Sequence, residues 1–182
     1  MNRFIFAAVV FSSSAFAGSD AHVFRNELGL NVGPGNPSGA AGFEYTRAIG
    51  EHHALGVGVG ESLAGWMKCV GYKYFVWQEG RFNPYVGLSG FHATGLIFMS
   101  EMPVKGSSFT LKPGYAIAPR AGFRYQAGWH INLYLNVGYG FVVQGGEAKI
   151  VRQLDDGAAA RQVMNDLALG GPELSTSLMF RF

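Results

Sequence analysis

Apolar residues recur in this chain at every second position, in one segment after another. In ELSTSLMFRF (173–182), Leu174, Thr176, Leu178, Phe180 and Phe182 make a nearly apolar row, and Glu173, Ser175, Ser177, Met179 and Arg181 a mostly polar one. INLYLNVGYGFVV sets Ile131, Leu133, Leu135, Val137, Tyr139 and Phe141 against Asn132, Tyr134, Asn136, Gly138 and Gly140. LGVGVG, FRNELGLNVG, AAGFEYT, VGYKYFV, NPYVGLSGF and PRAGFRY alternate in the same way. Successive side chains of a strand point to opposite faces, so each segment reads as a strand with one apolar face and one polar or glycine face. There are eight of them.

Two architectures accept such strands. A β-sandwich buries the apolar faces against each other and exposes the polar ones. A transmembrane barrel turns the apolar faces to lipid and fills its interior with polar and small residues. The composition favours the barrel: 27 glycines and a 14% aromatic share accompany only 14% charged residues, and the second face carries glycine rather than surface lysine. Tyr45, Trp77, Phe82, Tyr85, Tyr125, Trp129, Phe180 and Phe182 are expected to form an aromatic girdle at one set of strand ends.

Turn lengths give an independent check. GEHH, QEGRFN and QAGWH are short and polar, as periplasmic turns are. Taking the strand ends beside them as one rim, the hairpin midpoints fall in PGNP, between Gly65 and Trp66, between Val104 and Lys105, and at Asp156-Gly157, a favoured hairpin dipeptide. The third and fourth loops, from about Thr94 to Pro113 and from Gln144 to Gly171, are read as strands continuing past the membrane as exposed ribbons. A short helix over AAARQVMNDLAL is the rival for the fourth.

The first 17 residues follow the order of a secretory signal: Arg3, an apolar core from Phe4 to Phe11, then Ala15-Phe16-Ala17. Eight apolar residues are too few for a membrane helix, which needs about 20. The expectation is therefore a signal peptide over 1–17 and a single barrel domain over 18–182. With one cysteine, Cys69, there is no internal disulfide, and an inward-facing buried thiol is the expected reading. Removing Arg3 leaves a net charge of +1, and no basic cluster with interleaved aromatics suggests nucleic acid.

Taken together, the export signal, eight alternating strands, short turns opposite longer loops and an aromatic C-terminus resemble small outer-membrane β-barrels of the OmpA, OmpX and opacity type. EYTRAIGEHHALGVGVG is similar to a strand-turn-strand pattern frequent in that group, and SLMFRF to its C-terminal assembly signal. The resemblance implies an all-β, eight-stranded, antiparallel up-and-down transmembrane barrel in the cell outer membrane. It further implies that Leu178, Phe180 and Phe182 are read by the barrel-assembly machinery, and that outer-membrane lipid and lipopolysaccharide are its surroundings.

A fold this common does not specify a function, so the candidate sites must. Glu27, Glu44, Lys73 and Arg120 face inward four or five residues above the rim, so the expectation is one cluster that neutralises itself and closes the interior. A narrow ion path through it is the sharper alternative. His92 and Thr94 share an outward face high on their strand, a weak counterpart of the histidine-hydroxyl pair of lipid A deacylases, with Ile117 opposite His92 by the hairpin count. His52, His53 and His130 are expected as solvated turn residues, with no metal site, and no cofactor is indicated. Leu96, Ile97, Phe98, Met99, Met102 and Val104 make the third loop unusually apolar and suit an extracellular partner. The leading reading is a structural or interaction-bearing barrel rather than an enzyme.

Overall fold

The computed structural model describes residues 25–62, 64–77, 80–95, 108–128, 130–146, 148–152 and 169–182, the backbone alone at 108–111 and 148–152. The signal segment 1–17, Trp129, the apolar stretch 96–104 and the helix candidate up to residue 168 lie outside these. Among the described residues there are ten strands: β1 (Asn26–Val32), β2 (Ala41–Ala48), β3 (His53–Ser62), β4 (Gly65–Phe75), β5 (Phe82–Ala93), β6 (Ser108–Leu111), β7 (Gly114–Gln126), β8 (Ile131–Gly145), β9 (Ala148–Arg152) and β10 (Gly171–Arg181). Eight close into a barrel in the order β1-β10-β8-β7-β5-β4-β3-β2, all neighbours antiparallel. The other two, β6 and β9, pair as a separate ribbon. The third and fourth loops are thus joined to each other at this ribbon.

The faces sort as the alternation predicts. Leu30, Phe43, Val57, Val70, Leu135, Val137 and Phe180 lie outside with roughly half their surface uncovered, whereas Glu27, Asn31, Glu44, Lys73, Asn83, Arg120, Asn132, Asn136 and Glu173 are inside and buried. Polar atoms inside and apolar ones outside is the reverse of a sandwich core, which settles the choice left open by the sequence.

Inside, two apolar groups flank the charged side chains. At the short-turn end Ala54, Phe75, Tyr85, Tyr134 and Met179 pack together. At the loop end Ala64, Met67, Phe91, Ala93, Ala116, Ala118 and Leu169 do so, with Cys69 against them. Tyr85 therefore leaves the expected girdle: it shares the inward parity of Asn83 and Ser89 and is buried. Trp77, Phe82, Phe180 and Phe182 are exposed at the turn end, where Tyr72 and Tyr74 join them.

The first hairpin turns within PGNP as the midpoint count predicts, Val32 pairing with Ala41, but the turn is not exposed: Asn36, Pro37, Ser38 and Gly39 are buried. Glycines on the facing strands make the room. A Cβ on Gly58 would stand 2.9 Å from the Ser38 Cβ and 2.8 Å from the Cys69 sulfur. Gly39 itself has φ of +101°, a backbone region that L side chains avoid.

Register differs from the midpoint count because the strand ends are staggered, as barrel closure requires. Ser62 pairs with Gly65, so the second hairpin centres before Gly65 rather than between Gly65 and Trp66. On β5, His92 faces Tyr115, and Ile117 faces Gly90.

Replacing Leu135, on the outer face of β8, with arginine should cost about 2–4 kcal/mol of folding stability, as a cation does near the middle of a lipid-facing barrel wall. Urea titration in lipid vesicles measures this, and an unchanged midpoint would mean that this face does not meet lipid.

Candidate functional site

The charged interior is built by small residues next to large ones. Lys73, Gly87, Arg120, Gly138 and Glu173 face one another in turn across β4, β5, β7, β8 and β10. Glycine leaves the wall open where a long side chain must lie along it. A Cβ on Gly87 would come within 3.4 Å of Arg120 Cγ, and one on Gly138 within 2.8 Å of Glu173 Oε2. On β3, a Cβ on Gly56 would approach Glu44 Oε1 to 3.1 Å.

Three ionic groups result. The Lys73 ammonium lies 2.6 Å from Glu44 Oε1 and donates to Thr46 Oγ1 at 3.3 Å. Asn31 Nδ2 donates to the second Glu44 oxygen at 3.2 Å. Lys73 also stands 4.7 Å from the centre of the Tyr134 ring, so its charge meets a π face as well as a carboxylate. In the second group Arg120 Nη2 is 3.2 Å from Glu173 Oε1, which accepts from Ser175 Oγ at 2.9 Å. Asn136 Nδ2 donates to Ser175 Oγ, and Tyr85 donates to Asn136 Oδ1. In the third, Glu27 accepts from Asn132 at 2.7 Å and from Tyr134 at 2.6 Å, with Arg124 at 3.8 Å. The Arg124 guanidinium in turn stacks 4.2 Å above Phe75.

Of the four residues singled out in the sequence, only Glu44 and Lys73 pair with each other. Arg120 and Glu27 take partners that the count from the rim did not supply, Glu173 and Arg124. Parity held the missing signal, because Glu173 alternates with the inward Ser175 and Ser177, and Arg124 with Arg120. What excluded them was the assumption that strand ends share one level.

Elsewhere the candidates sit apart. His92 packs its ring against Tyr115 with centroids 4.6 Å apart. Thr94 Oγ1 accepts from the Trp66 amide at 3.1 Å and donates to Gly95 O at 3.4 Å, so its hydrogen points to a carbonyl rather than to an imidazole. His52 Nδ1 donates to Phe75 O at 2.7 Å, and His53 shares a 2.6 Å bond with the Tyr72 hydroxyl. Nδ1 of His130 lies 3.2 Å from Arg181 O. These histidines serve the turn-side wall, and among the described residues no three His, Cys, Asp or Glu side chains are grouped to hold a metal ion. Leu178, Phe180 and Phe182 line the outside of β10 and the residue after it, where Phe182 N donates to Asn26 O at 3.0 Å.

The barrel fold is shared with a protein of known structure. The N-terminal β-barrel domain of Pseudomonas aeruginosa OprF aligns over 86% of this chain and 96% of its own, with a TM-score of 0.54 at 13% identity. The chain has the fold of small outer-membrane β-barrels. Neisserial surface protein A aligns over the same share of this chain and 96% of its own at a TM-score of 0.46 and 11% identity. Acinetobacter baumannii CarO aligns over 86% of this chain and 97% of its own at 0.42 and 13%. No family model matches the sequence, and no curated protein is detectably similar to it.

Because Glu44 and Lys73 are both buried, removing one strands the other's charge. Lys73→Met should lose about 3–5 kcal/mol of stability, and adding Glu44→Leu should recover most of it. Urea unfolding of the two single variants and the double variant checks this. Losses that simply add would show that the pair is not coupled.

Proposed function

We propose that this protein is an integral outer-membrane barrel that keeps its interior closed with its own ion pairs and works through its extracellular loops, in a structural or surface-interaction role rather than a catalytic one. The observation that carries this reading is the inversion of polarity: an exterior of half-uncovered aliphatic and aromatic side chains around an interior of paired, buried charges. Such an exterior would be insoluble in water and is at rest in lipid. Eight strands leave an interior that side chains can fill, and here glycines admit the long ones.

Two features support placing the role in the loops. In the first short turn His52 and His53 are committed to the barrel wall, through Phe75 O and the Tyr72 hydroxyl. The third and fourth loops meet in the β6–β9 ribbon, whose first residue, Ser108, follows the apolar stretch from Leu96 to Val104 in the same excursion of the sequence. An extracellular partner would engage that excursion, and lipopolysaccharide would surround the wall beneath it. The Thr94 hydroxyl engaged by Gly95 O supports leaving His92 and Thr94 out of catalysis.

Replacing residues 96–104 with a short polar turn should abolish attachment of expressing cells to host cells or matrix while the barrel still assembles. Unchanged attachment would refute the loop role. Planar-bilayer conductance should stay at baseline for both the wild type and Lys73→Ala, and steps appearing in the variant would favour the narrow ion path instead.

A further inference from the structure

The outer wall is not uniform near the loop end. Around much of that end the outward residues are apolar, including Val32 on β1, Phe43 on β2, Val59 on β3 and Phe141 on β8. At one level across β4, β5 and β7 they are polar, with the outward Trp66 above that level on β4 and the exposed Glu61 of β3 opposite Trp66. Lys68 faces His92, and His92 faces Tyr115, so an ammonium, an imidazole and a phenol lie side by side on three neighbouring strands. Lys68 is exposed, His92 partly so, and Tyr115 has half its surface uncovered.

Directly below this row, on the side toward the middle of the wall, stands Gly90, flanked by Val70 and Ile117. A Cβ placed on Gly90 would meet nothing nearer than Val70 Cγ2 at 4.0 Å. The glycine is therefore not required by crowding. It leaves a shallow dent walled by Val70 and Ile117, with Leu88 beneath, all three well exposed. Polar donors above and an apolar furrow below reproduce the order of groups in a lipid, headgroup toward the surface and chain toward the interior.

We propose that this face, formed by Lys68, His92 and Tyr115 above Gly90, binds a phosphate-bearing lipid of the outer leaflet. The Lys68 ammonium, a His92 ring N–H and the Tyr115 hydroxyl donate to the phosphate oxygens, and an acyl chain lies in the dent between Val70 and Ile117. Charge-assisted donors on adjacent strands suit a compact anion. The inference rests on the proposed outer-membrane orientation, with the long loops outward. A free phosphate ion would satisfy the upper row but leave the dent without purpose.

Native mass spectrometry of the full mature chain in detergent micelles tests this, with phosphatidic acid, phosphatidylcholine and inorganic phosphate as probes. Phosphatidic acid should be retained by each barrel in preference to phosphatidylcholine. The double variant Lys68→Gln/His92→Gln should lower that retention about thirtyfold, the effect of two donors each contributing on the scale of one cation near an anionic surface. Gly90→Leu, which fills the dent without touching the donors, should lower it too, whereas Lys112→Gln should not. Equal retention by wild type and the double variant overturns the proposal, as does retention indifferent to Gly90→Leu. Competition by inorganic phosphate at the same concentration as the lipid would assign the row to a free ion and overturn the lipid. A heat-dependent gel shift of each variant reports barrel formation separately, so a failure of the barrel reading is not mistaken for a failure of the lipid site.

Discussion

The structure depends on the pairing of its first strand with its last. Once β1 lies against β10, from Glu27 opposite Arg181 to Val32 opposite Thr176, the barrel has no sheet edge. A wall that meets lipid cannot leave backbone N–H and C=O groups unpaired, because no water is there to replace the missing bond. Closure is therefore what permits Leu30, Val57 and Leu135 to face outward at all. It also bounds what the inside can be, since eight strands enclose a space just wide enough for side chains to fill.

That space is filled with charge, and the charge is tolerable because it is matched. Glu44 meets Lys73, Glu173 meets Arg120, and Glu27 meets Arg124 together with two neutral donors. Breaking such a pair is costly because the survivor keeps its desolvation penalty and loses its compensation. Glycine on the facing strands is the counterpart of each long side chain. Gly56 leaves space beside Glu44, Gly87 beside Arg120, and Gly138 between Arg120 and Glu173. Gly58 does the same for the first loop, admitting Ser38 beside Cys69. The glycine content noted in the sequence is in this sense a packing requirement of the charged and looped interior.

Much of this architecture was legible in the residues alone. A period of two assigns each side chain to a face without any knowledge of its partners, so strand number, barrel type and the inward placement of Glu27, Glu44, Lys73 and Arg120 followed directly. Register did not follow, because it depends on stagger between strands, which no single strand encodes. A slip of two residues put Ile117 opposite His92 where Tyr115 stands, and so hid the polar row on the outer wall. The same flattening of the barrel into one level hid Arg124 and Glu173. Tyr85 was misplaced for another reason: a tyrosine near a strand end suits a membrane boundary, and only its parity with Asn83 sends it inward.

The most direct test of the account is the mobility in SDS gels, with and without boiling, of the protein taken from purified outer membranes. A closed barrel whose ladder has no edge resists SDS until heated, so the account predicts membrane retention and two distinct mobilities. A single mobility from a protein released into the soluble periplasm would contradict it, and would turn the apolar faces inward again.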